Sequence, residues 1–380
     1  MGPLAGVRVV EFEAIGPAPF AGMLLADMGA EVLVVDRPSA TDLGLKRARR
    51  EDVMMRGKRS VTLDLKNDLS RDTVFQLVER ADVLIEGFRP GVMERLGLGP
   101  EAVHARNPRL VYGRMTGWGQ DGPLAPRAGH DINYIALSGV LGAIGRRGQA
   151  PVPPLNLVGD FGGGGMLLAF GVVCAVLEAR RSGRGQVVDA AMVEGAALLA
   201  AMFSGLLAAG TWQEERGANV LDTGAPWYDV YETKDGGHVA IGSIEARFFN
   251  ELTERLGLKD VPPQHERSRW PEMRALFERT FKSRTRDEWC AVFEGSDACF
   301  APVLGWSEAR AHPHNVARSG YVEVAGVPQP APAPRFSRSV PAVPAVAPER
   351  GQGGRETLQA WGFAPADLDR LQSRGLGFQE

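Results

Sequence analysis

The sequence predicts an α/β protein with a mainly parallel sheet and a second, smaller α+β domain. Segments typical of strands and of helices alternate with short connections through the first third of the chain, which favours a parallel sheet covered by helices on both faces. The composition agrees, because 44% hydrophobic and 23% charged residues are ordinary globular values. At 380 residues, the chain is long enough for about two to three domains.

The first third of the chain carries the alternating pattern. Its helix-like segments are 21–28, which Gly29 closes, and 70–80, where Val74, Leu77 and Val78 recur at helical spacing. Its strand-like segments, rich in β-branched residues, are 7–12, 31–36, 61–65, 81–86 and 110–112.

The middle of the chain, 160–210, is mostly helical and apolar apart from a strand-like break at 186–189. Its two apolar segments, 162–177 and 195–210, are shorter than the ~20 residues that a helix needs to cross a bilayer. We therefore expect both to be buried core helices, and we expect no association with a membrane.

A small α+β domain is predicted at 225–325. Strand signals return at 227–243 around a turn at 234–237, whose Asp and Gly residues favour a hairpin. Residues 246–295 follow as helices rich in Arg and Glu. The large α/β domain is accordingly placed at 1–224.

The last part of the chain, 326–380, is predicted to return to the large domain. Seven prolines between residues 327 and 348 exclude a helix there and favour an extended strap. A helix-like segment at 365–374 follows the strap.

Charge and cysteine content exclude some classes of function. The formal charge is 43 − 46 = −3, so the chain has no overall basic excess of the kind that nucleic-acid binding requires. Cys174, Cys290 and Cys299 have neither metal-site spacing nor the pattern of a disulfide framework. With no recognisable targeting segment, these features predict a cytoplasmic protein without a bound metal.

The first strand–helix–strand unit partly matches a dinucleotide-binding motif. Gly16 lies in the turn, and Asp36 follows about 20 residues later, where a ribose-binding acid belongs. The turn reads GPAPFA at 16–21, however, so the second glycine that lets a pyrophosphate approach is missing. We therefore reject NAD or FAD as a cofactor and expect Gly16 to serve helix packing.

Several segments together resemble the class III CoA-transferase (CaiB/BaiF) family. GPLAGVRVVE at 2–11, LADMGAEV at 25–32 and DVLIEGFRPG at 82–91 carry the general resemblance. GHDINY at 129–134 and LVGDFGGG at 157–164 are similar to the 2-methylacyl-CoA racemase branch of the family, and the resemblance extends over roughly residues 2–340. It implies a Rossmann-like large domain, an acyl-CoA substrate, and an intertwined homodimer with its site between one chain's large domain and its partner's small domain.

The resemblance implies four catalytic-site residues. Racemisation removes an α-proton from one face of the substrate and returns one to the other, so it needs two bases, and His130 and Asp160 match the two motif bases. The apolar helix after Asp160 would raise its pKa, whereas the helix N-terminus would lower it, and the sequence does not decide between them. Glu245 is implied to position His130, and the Asp131 backbone N–H is implied to stabilise the enolate.

Two other functions compete with the racemase hypothesis. In a CoA-transferase of the same family, Asp160 would be a nucleophile rather than a base, and a second carboxylic acid would accept the CoA. A non-catalytic acyl-CoA binder would have no use for His130, Asp160 and Glu245 together. His130 favours the racemase, because a transferase needs no second proton base.

Binding of CoA requires cationic or donor groups for its phosphates. A basic cluster lies between Lys46 and Arg59, although a solvated face is an equally good interpretation of such a run. Met54 and Met55 within it would offer the acyl chain a soft surface, or simply pack in the core. The resemblance implies that the CoA site is lined by Arg37, Arg56, Leu63, Lys66, Arg89, Arg95, Gly129 and Tyr134.

Overall fold

A computed structural model of the chain describes residues 2–39 and 47–378. The chain forms two compact units. Unit 1 consists of Met1–Ser138, Leu155–Leu199 and Ser319–Glu380, and unit 2 of Gly139–Pro154 and Ala200–Arg318. The boundaries predicted from sequence therefore change: 139–154 and 200–224 leave the large domain, and 319–325 leaves the small one. The last segment, 326–380, belongs to unit 1, as predicted. A sequence pattern reveals the type of each element but not the neighbours against which it packs.

The described strands and helices follow the alternation that the sequence predicts. The strands are β1 (Arg8–Phe12), β2 (Glu31–Asp36), β3 (Arg59–Leu63), β4 (Val83–Glu86), β5 (Val111–Thr116), β6 (Val187–Ala191), β7 (Tyr228–Glu232), β8 (His238–Gly242), β9 (Phe300–Pro302), β10 (Tyr321–Val324), β11 (Val327–Pro330) and β12 (Leu376–Gly377). The helices are α1 (Pro17–Asp27), α2 (Asp68–Val78), α3 (Val92–Arg95), α4 (Pro100–Arg106), α5 (Asp131–Leu137), α6 (Val140–Ala143), α7 (Leu167–Ser182), α8 (Met192–Leu199), α9 (Ala201–Ala208), α10 (Ala246–Arg255), α11 (Trp270–Phe281), α12 (Arg286–Phe293), α13 (Trp306–Ala311), α14 (Pro313–Ala317), α15 (Gly354–Ala360) and α16 (Pro365–Ser373).

Unit 1 is built on a seven-stranded sheet in the order β12-β3-β2-β1-β4-β5-β6. All pairs are parallel except β12 with β3. The order 3-2-1-4-5-6 is that of a doubly wound Rossmann sheet, whose strand order reverses between β1 and β4. The predicted fold class is thereby confirmed. Loops after the carboxyl ends of these two strands form the crevice where such sheets bind ligands.

Two apolar clusters cover the faces of this sheet. One face packs Val10, Phe12 and Leu33 against α2, α4 and the C-terminal helices α15 and α16. The other packs Val9 and Val83 against α1 and α7. Alternate residues of one strand thus enter opposite clusters, as the two-residue period of a strand dictates.

The apolar helix at the centre of the sequence is longer than predicted. A π-helical segment, Leu157–Met166, runs directly into α7, and this continuous helix of 26 residues is, among the described residues, the one long and apolar enough to cross a membrane by length and composition. It packs against α1, α8 and β5 on one side, while Met166, Phe170 and Leu177 are exposed, so the helix is only partly the buried core helix that the sequence predicts. Glycines permit the close packing: a Cβ on Gly163 would lie 2.5 Å from the Ala196 backbone nitrogen.

The second apolar segment, 195–210, is not the buried helix that the sequence predicts. It divides between α8 of unit 1 and α9 of unit 2, and no residue of α9 is buried. Met202 and Leu207 of α9 are both exposed. The apolar residues of α9 are therefore not part of the core of unit 2.

Unit 2 has its own core around the antiparallel sheet β7-β8-β9. β7 and β8 form the predicted hairpin, in which Tyr228 pairs with Gly242 and Glu232 with His238. The predicted helices between 246 and 295 are confirmed as α10, α11 and α12. Their aromatic residues, among them Phe277, Phe281 and Trp289, pack around the hairpin's Tyr231.

The proline-rich strap belongs to unit 1, and it is tied to the sheet by backbone hydrogen bonds. Gly57 donates to the Ala345 carbonyl at 2.9 Å, and Ser60 donates to the Gln352 carbonyl at 3.0 Å. β12 then adds to the outer edge of β3, with Leu376 opposite Leu63. The strap and final helix therefore return to the large sheet.

Candidate active site

A cleft of about 1540 Å³ lies at the carboxyl ends of β1, β4 and β5, within unit 1. The loops after these three strands line it with Gly16, Gly87 and Gly117. Its position is the reversal point of strand order, where open α/β sheets bind ligands. His130 and Asp160, which are far apart in sequence, line this same cleft.

Asp160 lies in the first turn of the π-helical segment, and its surroundings favour a basic carboxylate. Burial raises the pKa of Asp160 above its ordinary value of 3.8, and the charge of Asp131 adds to this rise. A hydrogen bond from Asn156 Nδ2 to Asp160 Oδ2, 3.0 Å long, and the nearby His130 act in the opposite direction. Desolvation is the largest of these effects, so the pKa of Asp160 lies above its ordinary value. The carboxyl is therefore better suited to accept a proton than an ordinary aspartate.

His130 is an exposed residue that caps the N-terminus of α5. Its backbone N–H donates to Asn133 Oδ1 at 3.0 Å, and its carbonyl accepts from the Asn133 N–H at 2.8 Å. This reciprocal pair fixes the backbone while leaving the imidazole in the cleft. Asp131 is the first residue of α5, so its backbone N–H has no acceptor within the helix.

Tyr134 holds the loop that carries His130. Its hydroxyl donates to the Gly129 carbonyl, and its ring meets Trp118 edge-on at 4.7 Å. A Cβ on Gly117 would lie 2.1 Å from this ring, so only glycine fits there. Burial raises the pKa of Tyr134 to about 12, and the hydroxyl therefore remains a donor at neutral pH. The predicted residues Gly129 and Tyr134 thus lie in the cleft, with Tyr134 anchoring its wall.

The predicted CoA-binding residues divide into those in the cleft and those outside its lining. Arg89, like Gly129 and Tyr134, lines the cleft, and no described carboxylate forms an ion pair with it. Arg37, Lys66 and Arg95 are exposed residues of unit 1 outside the lining. Leu63 is also outside it, because its side chain is buried in the core beneath β12.

Arg56 requires a correction. Its side chain is 4% exposed, and its guanidinium forms a bidentate ion pair with Asp27, at 3.1 and 2.6 Å. It also donates to Gln329 Oε1 and to the Pro330 carbonyl at 3.0 and 2.6 Å. Its donors are therefore engaged in holding the strap against α1, and they are not available to a phosphate.

Most of the basic cluster around Arg56 is likewise paired. Lys46 lies outside the described residues. Arg47 binds Asp52 at 2.8 Å, and Lys58 is fully buried against Glu11 at 2.7 Å. The sequence showed the positive charges of this region but not the acids that neutralise them.

A network of acids and bases lines the other half of the cleft. Lys58 Nζ donates to both oxygens of Glu11 and to the Pro19 carbonyl. Arg350 of the strap donates to Glu13 at 3.1 and 2.6 Å. Arg49, which also lines the cleft, donates to Asp36. Asp36 is thus buried in an ion pair.

Several polar residues of the cleft were not predicted from the sequence, among them Arg127, Arg350 and Asn156. Arg127 lies three positions before His130 in the same loop and forms no ion pair with a described carboxylate. Arg350 comes from the strap, and Asn156 binds Asp160. Proximity to the GHDINY motif was a usable signal for Arg127, whereas Arg350 lies more than 300 residues from its partner Glu13 and left none.

The cleft also has an apolar part. Met54, Met55, Met115 and Met192 contribute to its wall. Flexible, polarisable thioethers adapt to different apolar shapes, so this wall suits an acyl chain of variable form. Glu245, by contrast, belongs to unit 2, where it precedes α10 as an exposed side chain.

Comparison with known proteins places these features in a family. A model of CoA-transferase family III matches residues 4–353. The chain is 46% identical to a protein of Mus musculus named Alpha-methylacyl-CoA racemase, over 375 residues that cover 97% of this chain and 96% of the relative. A protein of Homo sapiens with the same name is 44% identical over 379 residues, covering 97% and 96%. A solved CAIB/BAIF family structure from Brucella suis superposes with a TM-score of 0.82 at 26% identity, covering 95% of this chain and 99% of that one.

Proposed function

The chain belongs to CoA-transferase family III, and we propose that it is an isomerase that interconverts the (2R) and (2S) epimers of 2-methylacyl-CoA thioesters. The relatives named Alpha-methylacyl-CoA racemase, similar over nearly the whole chain, support this activity. The observation that carries the mechanism is the presence of two candidate bases, His130 and Asp160, on one cleft.

The proposed reaction is a proton transfer through an enolate. One base takes the α-proton, and the C–H electron pair moves into the thioester to form an enolate oxygen. The other base then returns a proton to the opposite face of the α-carbon. Each positioned base contributes about 10²–10⁴-fold to such a step. Because the overall reaction changes no oxidation state, we propose that it needs no redox cofactor. We propose that it needs no metal either, because the Asp131 backbone N–H would stabilise the enolate oxygen.

Each site residue has a proposed part in this reaction. Burial prepares the Asp160 carboxylate to accept a proton, and His130 supplies the second base. The Asp131 N–H, free at the start of α5, would donate to the enolate oxygen. Glu245 is the third side chain of the proposed set, on the ground of the family resemblance, and we propose that it positions His130.

We propose that the CoA phosphates bind to cationic side chains of the cleft that form no ion pair with a described carboxylate. Arg89 and Arg127 line the cleft without a described ion-pair partner, and they are our first candidates. The methionine wall would receive the acyl chain. We also propose a cytoplasmic location, which agrees with three free cysteines.

We further propose that the functional form is a homodimer. In unit 1, Met166, Phe170 and Leu177 expose 52%, 65% and 64% of their surface along one side of the helix that carries Asp160. In unit 2, Met202 and Trp306 are also exposed. Exposed apolar surface of this kind in a soluble chain is usually covered by another molecule. Sedimentation equilibrium should give twice the mass of 40.9 kDa.

Deuterium exchange tests the activity. The protein, supplied with one pure epimer of a 2-methylacyl-CoA in D₂O, should introduce deuterium at the α-carbon and move the sample toward a mixture of epimers. No free carboxylic acid should be required. Replacing His130 with Ala should lower interconversion by ~10²-fold or more. His104→Ala is the matched control, because His104 contacts the Leu110 carbonyl away from the cleft.

A CoA-transferase would give a different result. It would exchange no α-proton, it would require a free acid, and it would form an acyl anhydride on Asp160 that hydroxylamine traps. That combination of results would replace the racemase proposal with the transferase.

A further inference from the structure

The carboxylate of Asp131 has no part in the reaction described so far, since only its backbone N–H was assigned. The side chain is 6% exposed and lies beside Asp160. Its Oδ1 accepts a hydrogen bond from the Asp160 backbone N–H at 2.7 Å. Its Oδ2 is buried and has no hydrogen-bond partner among the described residues.

The backbone around this carboxylate leaves no spare room. A Cβ on Gly159 would lie 2.4 Å from Asp131 Oδ1 and 3.2 Å from the Ile135 side chain. On the other side, a Cβ on Gly16 would lie 3.3 Å from Asp160 Oδ2. Both carboxylates therefore fit against bare backbone, and a small displacement of one would disturb the other.

A buried carboxylate oxygen without a partner is costly to the fold. An asparagine would satisfy the Asp160 N–H equally well without burying a charge. A charged residue at this place therefore points to a use for its charge, and the nearest group that the charge acts on is Asp160. The titratable groups whose charges act on Asp160 are Asp131 and His130, the first residue of α5 and its cap.

We propose that the Asp131 carboxylate is a positioning residue for the base Asp160: Oδ1 holds the Asp160 backbone so that its side chain faces the cleft, and the negative charge keeps that side chain basic. The proposal rests on the proposed function, in which Asp160 acts as a proton acceptor.

Two substitutions separate position from charge, and both keep the Asp131 N–H. Asp131→Asn retains an oxygen that can accept from Asp160, but it removes the charge. For the epimer whose exchange depends on Asp160, the acid limb of kcat/KM should move to lower pH by roughly 1 unit, because less charge opposes ionisation of Asp160. Asp131→Ala removes the acceptor as well, and kcat should fall about 10- to 100-fold with little change in KM.

Asp82→Asn is the matched control, because Asp82 Oδ2 accepts from the Arg8 backbone N–H at 2.9 Å at the opposite end of the sheet. Its pH profile should equal that of the parent. Parent-like kcat and an unmoved acid limb in both Asp131 variants would overturn the proposal.

Gly159→Ala provides a second route should the Asp131 variants fail to fold. The added methyl would push Oδ1 away from the Asp160 N–H without altering any charge, so kcat should fall; full activity in this variant would count against the positioning role.

Titration of the Asp160 carboxyl by ¹³C NMR separates this proposal from the function itself. If the parent exchanges no α-proton, the racemase activity is excluded. A lower pKa of Asp160 in Asp131→Asn would still show that the Asp131 charge acts on Asp160. An unchanged pKa of Asp160 in that variant would contradict the proposed role of the Asp131 charge.

Discussion

The two ends of the cleft treat carboxylates in opposite ways. At one end, Glu11 and Glu13 are each held by a cation, Lys58 and Arg350 respectively. At the other, Asp160 has only an amide donor, a neighbouring imidazole and a second carboxylate. We refer to these as the paired end and the Asp160 end.

The difference separates structural charge from reactive charge. A carboxylate whose oxygens are held by a buried cation is costly to separate from that cation, so it serves the fold. A carboxylate that is partly buried without a cation is more basic than usual and can exchange a proton. Burial also raises the pKa of Glu11, but Lys58 holds both of its oxygens, so Asp160 is the acid of the cleft best suited to chemistry.

The largest effect is expected at the Asp160 end. Asp160→Asn keeps the size of the side chain but removes the proton acceptor, so interconversion of the epimers should fall by about 10²–10⁴-fold. Chiral analysis of the product thioester measures the rate. The isosteric control at the paired end is Glu13→Gln, which should retain activity within a few-fold; equal losses in the two variants would contradict the distinction between the two ends.

At the paired end, the largest effect should be on stability. Lys58→Met leaves Glu11 buried without its cation, and breaking such a pair costs about 3–5 kcal/mol of unfolding free energy. Burial already raises the pKa of Glu11 from 4.5 to about 7, and Lys58 opposes that rise. A carboxyl whose pKa is raised on folding lowers the stability of the fold as pH increases from the carboxyl's pKa in the unfolded state through its pKa in the folded state. The deficit should therefore be larger at about pH 8 than at about pH 5.

Urea denaturation of the parent, Lys58→Met and the double variant Glu11→Gln/Lys58→Met measures this effect. The double variant should recover much of the loss, because it leaves no buried charge unpaired. A double variant as unstable as the single one would mean that Lys58 packing, rather than its charge, supports the fold.

A third comparison concerns two arginines that the resemblance placed together. Arg89→Ala should raise KM for the acyl-CoA about 10-fold, and the effect should weaken with added salt, because an exposed cation on a phosphate is screened. Arg56→Ala should instead lower the melting temperature with KM nearly unchanged, since Arg56 is bound to Asp27. Steady-state kinetics at two ionic strengths, with thermal unfolding, distinguish them. A KM effect confined to Arg56→Ala would reverse the assignment.

The fold was predictable because its signals are local. Strands such as β2 (Glu31–Asp36) coincide with runs of β-branched residues, and the β7–β8 hairpin follows from Asp and Gly in its turn. Pro17 and Pro19 hid the start of α1, which begins four residues before the predicted helix, because proline is tolerated in the first turn. Domain boundaries failed because unit 2 combines 139–154 with 200–318, two stretches that the sequence does not mark as belonging together.

The site was predictable where motif residues carry it. Two short motifs predict His130 and Asp160 as site residues, and both line one cleft. Arg56 was misassigned because its partner Asp27 lies 29 residues earlier and nothing local marks the pair. Long-range ion pairs thus decide which charged side chains remain available to bind a ligand. A sequence shows the charged residues but not the partners with which they pair.

The smallest expected effect concerns the contribution of Glu13, at the paired end, to the stability of the fold. Burial raises the pKa of Glu13, but hydrogen bonds from Arg350 and from the Arg37 backbone N–H outweigh it and leave the pKa below its ordinary value of 4.5. A carboxyl of this kind stabilises the fold above its unfolded pKa, and the contribution disappears as pH falls through the folded pKa. Glu13→Gln should therefore cost about 1 kcal/mol near pH 7 and progressively less below about pH 4.5. Urea denaturation at several pH values measures the cost, with Glu349→Gln, an exposed carboxylate of the same cleft, as a control that should show no such trend. A loss of unfolding free energy in Glu13→Gln that grows as pH falls would mean that the pKa of Glu13, like that of Asp160, is raised in the folded state.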